Sequence, residues 1–271
     1  TQKGIAVIED CCHSFGSTYN GQLCGTFGSA SFFSGQWNKP FSTGLGGMLL
    51  VRDEAISERI RAIYEREFTS PSWNYASIIR MQMMLHHLFN HPRLALGLTY
   101  LYRGLSRLGL MIGSSDACEI RGETPKRYSL KMTDAQASKG VFEMARIQEN
   151  IDHRQRIAGF YEHSLAESGI GTFTPSLREN PVFVRYPARV ANKSSLLQRG
   201  LWEGIELGSW FESPIHPIRE RLERFDYRLG ACPEAERASR ETINLPTHRR
   251  IDFKEAERIV RFLKKYAKMH S

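Results

Sequence analysis

Glu9 and Asp10 close an apolar run, Ile5 to Ile8, and Lys39 follows a second apolar and aromatic run, Ala30 to Phe33. Ser34 stands five residues before the lysine, and a glycine-rich passage lies between the two runs. A carboxylate at one strand end and a lysine just beyond the next are what a pyridoxal phosphate site requires. The acid keeps the pyridine nitrogen protonated, and the lysine amine forms the imine that holds the cofactor. The Ser34 hydroxyl can donate to a phosphate, and nearby glycines let backbone amides approach one. The amine must also reach its neutral form, which burial and a neighbouring cationic ring both favour. A loop lysine alone is most often a surface charge; the inference rests on the set.

These residues need strands to deliver them. Thr1 to Asp10, Ala30 to Phe33 and Gly46 to Val51 read as strands, with Asn20-Gly21 a tight turn and Gly44, Gly46 and Gly47 leading out of the lysine loop. Ends of parallel strands in an α/β sheet are where ligands bind. Asp53 caps a helix to about Glu67. A long helix is expected from Thr133 to about Glu167, with Ala137, Val141, Met144, Ile147 and Ile151 as its apolar stripe. Beyond Gly169 and Gly171, Val182 to Val190 alternates as a strand and Lys193 to Trp202 is helical, with Gly204 to Trp210 extended. A helix near Pro233 to Thr242, a strand at Ile243 to Leu245 and a basic terminal helix complete the chain. The expected fold class is α/β. Residues 1–130 form a partial large domain, mostly parallel sheet with helices, carrying an inserted apolar helical segment at 69–118. Residues 131–271 form a connecting helix and a smaller α+β domain.

Composition narrows the function classes. The net charge is +8, yet eight basic and three acidic residues fall between Arg249 and Ser271. They lie mostly on one face of a helix whose other face is Ala256, Ile259, Val260, Leu263 and Ala267, the pattern of a surface helix packed on a core. No nucleic-acid-binding motif accompanies them. Five cysteines without CxxC spacing indicate reduced thiols, with neither a disulfide framework nor a zinc site. The run Leu94 to Ile112 is interrupted by Arg103 and Arg107, which excludes a membrane span. It leaves a helical hairpin packed in an interface or over a cleft, or a membrane-surface helix pair. His87 and His91 have i, i+4 spacing, and His86 adjoins them, but no acidic ligand or HExxH pattern supports a metal. The chain opens at Thr1 without an initiator methionine or a visible secretory signal, as expected of a fragment or processed start of a cytoplasmic protein.

The opening segment resembles the DegT/StrS family of pyridoxal phosphate-dependent sugar aminotransferases, which have the aspartate aminotransferase-like type I fold. The family pattern is an aspartate, glutamine or histidine three residues later, a glycine-rich passage, then serine, four residues and lysine, and a glycine-rich start to a strand. Here these are Asp10, His13, Ser34, Lys39 and Gly46-Gly47. Lys131 to Ser138 (KMTDAQAS), Ser213 to Pro217 (SPIHP) and Cys232 to His248 resemble the family's later signatures. The resemblance implies that Lys39 links the cofactor and shuttles the proton. It places Asp10 on the pyridinium nitrogen, His13 near the ring hydroxyl and Ser34 on the phosphate. It further implies amino transfer, with glutamate as donor, to a nucleotide-linked keto-sugar in polysaccharide or cell-surface sugar biosynthesis, by a homodimer.

The chain departs from the pattern in four places. Ser129 stands where the family often has a phosphate-contacting asparagine, and Gly35-Gln36-Trp37 replaces a commoner aromatic-His-Pro run. The 69–118 segment is longer than usual, and the family's N-terminal portion, which supplies the phosphate-binding turn and a ring-stacking aromatic, is absent. A dehydratase branch of the family has histidine in place of the lysine, and Lys39 argues against it. The alternative of a different class is a non-catalytic remnant or regulatory assembly protein that keeps the fold.

Overall fold

The structure, a computed structural model, describes residues 4–89, 104, 111–113 and 117–269. The side chain of His87, and all of His91 and most of the Leu94 to Ile112 run, lie outside the described residues, as does the expected strand start at Thr1. Among the described residues, no helix is long and apolar enough to cross a membrane. The chain divides into two compact units, Thr1–Asp152 with Pro175–Val184, and His153–Thr174 with Arg185–Ser271.

The first unit is built on a three-stranded sheet. β1 (Ile8–Asp10) pairs in parallel with β4 (Ala30–Ser34), Ile8 opposite Ala30 and Asp10 opposite Phe32. Parallel neighbours need a connection of about a dozen residues or more. Residues 11–29 supply it, including a hairpin of β2 (Thr18–Tyr19) and β3 (Gln22–Leu23). Its turn is the expected Asn20-Gly21, both at positive φ (49° and 76°), as a right-twisted two-residue hairpin demands. β5 (Gly47–Val51) runs antiparallel to β4 with Ser34 opposite Gly47. The loop between them therefore leaves and re-enters the sheet at one edge, and it carries Lys39.

Helices follow. Asp53 caps α1 (Glu54–Glu67) as expected, its Oδ1 accepting from the Ile56 amide at 2.9 Å. α2 spans Trp73–Phe89. The single long helix expected from Thr133 is two helices, α3 (Asp134–Ala145) and α4 (Ile147–Leu165), parted at Arg146 with φ −119° and ψ 16°. The buried stripe is also not the apolar one. Val141 is 74% exposed, whereas Gln136, Gly140 and Asn150 are buried. The reason is chemical, because these polar residues satisfy carbonyls of the lysine loop.

In the second unit, β6 (Arg185–Arg189) lies between the two-residue strand Gly171–Thr172 and β7 (Thr242–Pro246), antiparallel to both, with Arg185 opposite Pro246. Alternation on β6 buries Tyr186 and Ala188. α5 (Lys193–Glu203) ends at Gly204, which adopts φ 64°, the left-handed conformation that terminates many helices. α6 (Pro233–Glu241) leads directly into β7. α7 (Phe253–Tyr266) buries Ala256, Ile259, Val260 and Leu263, so the basic tail is the solvated face of a core helix.

Candidate active site

The acid pair at the end of β1 splits because successive strand residues point to opposite faces. Glu9 accepts from the amides of Gly25, Phe27 and Gly28, each at 2.7 Å, and so pins the glycine-rich passage. Burial pushes its carboxyl up, but those amides and nearby Arg52 more than offset this and hold it below the usual range. Asp10 turns the other way. Its Oδ1 accepts from the Cys12 amide at 2.9 Å, and the strand ladder continues as the Cys11 amide donates to Phe32 O. The Cys12 amide lowers the Asp10 pKa against an opposing effect of burial, and the positive fields of His13 and Lys39 lower it further. Asp10 is therefore ionised at neutral pH.

Lys39 sits in a loop closed by its own backbone. Gly35 N donates to Gly46 O (2.8 Å), Thr43 N to Gly35 O (2.9 Å) and Lys39 N to Gln36 O (3.0 Å). The last bond makes residues 36–39 a turn that ends on the lysine. Gly44 and Gly46 hold φ of 86° and 93°, in the left-handed region, and a Cβ on Gly44 would lie 2.9 Å from the Trp37 ring. Phe15 supports the loop from within, stacking on Phe41 (5.9 Å between centroids) and meeting Phe33 edge-on (5.4 Å). Lys39 itself is only 7% exposed. Burial lowers its pKa, opposed by the Cys12 and Asp10 side chains, so the neutral amine is more accessible than in a surface lysine.

Electrostatic coupling joins three of the four expected residues. Lys39 and Asp10 each act on the other, and both act on His13, whose pKa burial lowers first and Lys39 lowers further while Asp10 opposes. Its imidazole is neutral at pH 7. Ser34, at the end of β4, accepts from the Gln36 amide at 3.4 Å, so its hydroxyl proton points elsewhere. A cofactor with a basic ring nitrogen, a carbonyl and a phosphate matches this donor set: an ionised acid, a buried amine of lowered pKa, and a hydroxyl at a strand end.

Sequence reasoning missed the residues that hold the lysine loop from behind. Gln136 Nε2 donates to Leu45 O at 3.0 Å and Asn150 Nδ2 to Pro40 O at 2.6 Å, while Gly140 packs on Phe41 and Thr43. Gln136 had one visible signal. It is the third residue after Thr133, and the two form a reciprocal capping box, Gln136 N to Thr133 Oγ1 at 3.3 Å and Thr133 N to Gln136 Oε1 at 3.2 Å. Asn150 had none.

Comparison with known proteins places the chain in a family. The chain is 24% identical over 255 residues to the spore coat polysaccharide biosynthesis protein SpsC of Bacillus subtilis, covering 90% of this chain and 55% of that protein. It is 23% identical over 262 residues to GDP-perosamine synthase of Caulobacter vibrioides, covering 96% and 58%. The crystal structure of a DegT DnrJ EryC1 StrS aminotransferase from Brucella abortus superposes with a TM-score of 0.68 at 16% identity, over 97% of this chain and 58% of that one, which shows the α/β aminotransferase fold. The chain thus spans under two thirds of the length of the proteins it resembles. The family model of the DegT/DnrJ/EryC1/StrS aminotransferases matches residues 1–83 and 109–264, and the chain belongs to that family.

Proposed function

We propose that the full-length protein is an aminotransferase that moves an amino group, with glutamate as donor, onto the carbonyl of a nucleotide-linked keto-sugar in polysaccharide or cell-surface sugar biosynthesis, acting as a homodimer. The cofactor of this family is pyridoxal 5'-phosphate. The observation that carries the reading is the buried Lys39 amine within the field of ionised Asp10, both delivered by the parallel pair β1 and β4. The names of the two relatives, a polysaccharide biosynthesis protein and a perosamine synthase, support the sugar and its nucleotide.

When bound, pyridoxal phosphate supplies an electron sink for the charge left on a carbon that loses its proton. The protein must supply the rest. Lys39, with its charged form disfavoured by burial, would take a proton from one carbon and return it to a second carbon two bonds away. Asp10 is ionised and would hold a proton on the ring nitrogen. Neutral His13 would serve the ring hydroxyl, and the Ser34 hydroxyl would donate to the phosphate. The backbone-closed loop fixes where the amine can go, and burial keeps water from competing for the proton.

Pyridoxal phosphate added to the full-length protein should give a visible absorption band that Lys39→Ala abolishes. With the band present, amino transfer from glutamate to a panel of nucleotide keto-sugars identifies the acceptor. Absence of the band in the unmodified protein would sink the aminotransferase reading and leave the non-catalytic one.

A further inference from the structure

The family match stops at residue 83 and resumes at 109, which leaves the segment 84–108 unmatched. The described turn at its start reaches the lysine loop. His86, on α2, lies against the Trp37 ring at 4.6 Å between centroids with an interplanar angle of 31°. The helix is anchored one turn earlier. Gln82, 3% exposed, donates from Nε2 to Ile112 O at 3.1 Å and accepts from Ile112 N at 3.3 Å. This two-point clasp ties the returning chain to α2 and fixes the helix face that Gln82 shares with His86, four residues on.

Trp37 is the means by which that contact reaches the chemistry. Its Nε1–H is buried and finds no hydrogen-bond partner among the described residues, so ring contacts hold the indole. Those contacts include His86 and the bare backbone of Gly44. Trp37 is also a corner of the turn closed by Lys39 N and Gln36 O, so a displaced indole displaces the lysine. We propose that His86 is a positioning residue for Lys39, acting through Trp37. The inference rests on Lys39 being the reacting group of the proposed function.

The test uses neither cofactor nor substrate, so its failure is distinct from failure of that function. In the full-length protein, the pH dependence of Lys39 acylation by acetic anhydride is read at residue level by mass spectrometry. Burial holds the amine below its ordinary pKa, and a loosened loop lets water in. His86→Ala should move the labelling midpoint upward, by about half a unit or more. His86→Phe, which keeps a ring on Trp37, should restore it. His86→Gln, also ringless, replaces the alanine variant if that fails to fold. An unchanged midpoint in the ringless variant overturns the proposal. So does a phenylalanine variant displaced as far as the ringless one, since the ring would then not be the agent.

Discussion

Two buried lysines show why a residue's chemistry depends on its neighbours. Lys193 is 7% exposed, as Lys39 is, but its Nζ donates to the carbonyls of Ser209 (2.9 Å), Phe211 (3.2 Å) and Ser239 (2.7 Å). Three neutral acceptors fasten an ammonium in place and leave it nothing to do. Lys39 lies in the fields of Asp10 and His13, in a loop that ends at a strand edge. The acids divide in the same way, Glu9 holding three amides and Asp10 facing the amine. Asp10→Asn should therefore weaken pyridoxal phosphate binding by about tenfold to a hundredfold, the worth of one hydrogen bond to a charged group. Titration of the visible band against cofactor concentration measures it. An affinity equal to that of the unmodified protein would remove Asp10 from the site. Asp10, His13, Ser34 and Lys39 could be put forward as candidates from the sequence because all four lie within one contiguous stretch of strand, loop and strand. The division between Glu9 and Asp10 was not, since it depends on which face of β1 each one takes.

Among the elements, the strands and caps of the first unit could be read locally and the helix behind them could not. Asn20-Gly21 and Asp53 are decided by backbone conformation and one hydrogen bond, both short-range. The Thr133 to Glu167 region obeys a longer-range demand. Its periodicity marked Val141 and Met144 as inward, yet both are exposed, and the helix is rotated to bring Gln136 and Asn150 onto the carbonyls of Leu45 and Pro40. Two buried carbonyls left without donors cost about 1–3 kcal/mol each, together more than the gain of about 1.5–3 kcal/mol from covering one more valine. The ranking expected from hydrophobicity is thus inverted. Asn150→Ala should destabilise the protein by about 1–3 kcal/mol, whereas Val141→Ala should stay within about 0.5 kcal/mol. Urea unfolding of the two variants beside the unmodified protein decides this, and a costlier Val141→Ala would restore the apolar face as the packing face.

At the scale of the whole molecule, the charge that looked like a nucleic-acid signal resolves into separate local arrangements. The basic tail is the wet side of α7. In the second unit, Glu206 gathers nitrogen donors: Arg185 Nη2 lies 2.8 Å from its Oε1, and His248 Nε2 lies 3.0 Å from its Oε2. Burial raises the Glu206 pKa, but His248 and Arg185 more than reverse this and hold it well below the usual carboxylate range. Since a carboxylate accepts only, His248 donates through Nε2, which its neutral tautomer allows; burial lowers the His248 pKa and favours that form. The lasting cation bonded to Glu206 is therefore Arg185, with Arg250 also in its field. A depressed folded-state pKa contributes stability that is fully present above the unfolded-state value near 4.5 and is lost as pH falls through the folded-state value. Glu206→Gln should then cost about 3 kcal/mol at pH 7, because it strands a mostly buried guanidinium. That difference should shrink as pH is lowered through the carboxylate range, as the unmodified protein loses the same charge. Thermal unfolding of both proteins at pH 7 and at successively lower pH reads the difference directly. A gap that stayed constant with pH would mean that the glutamate acts by packing, and that its charge contributes nothing to holding β6 and β7 together.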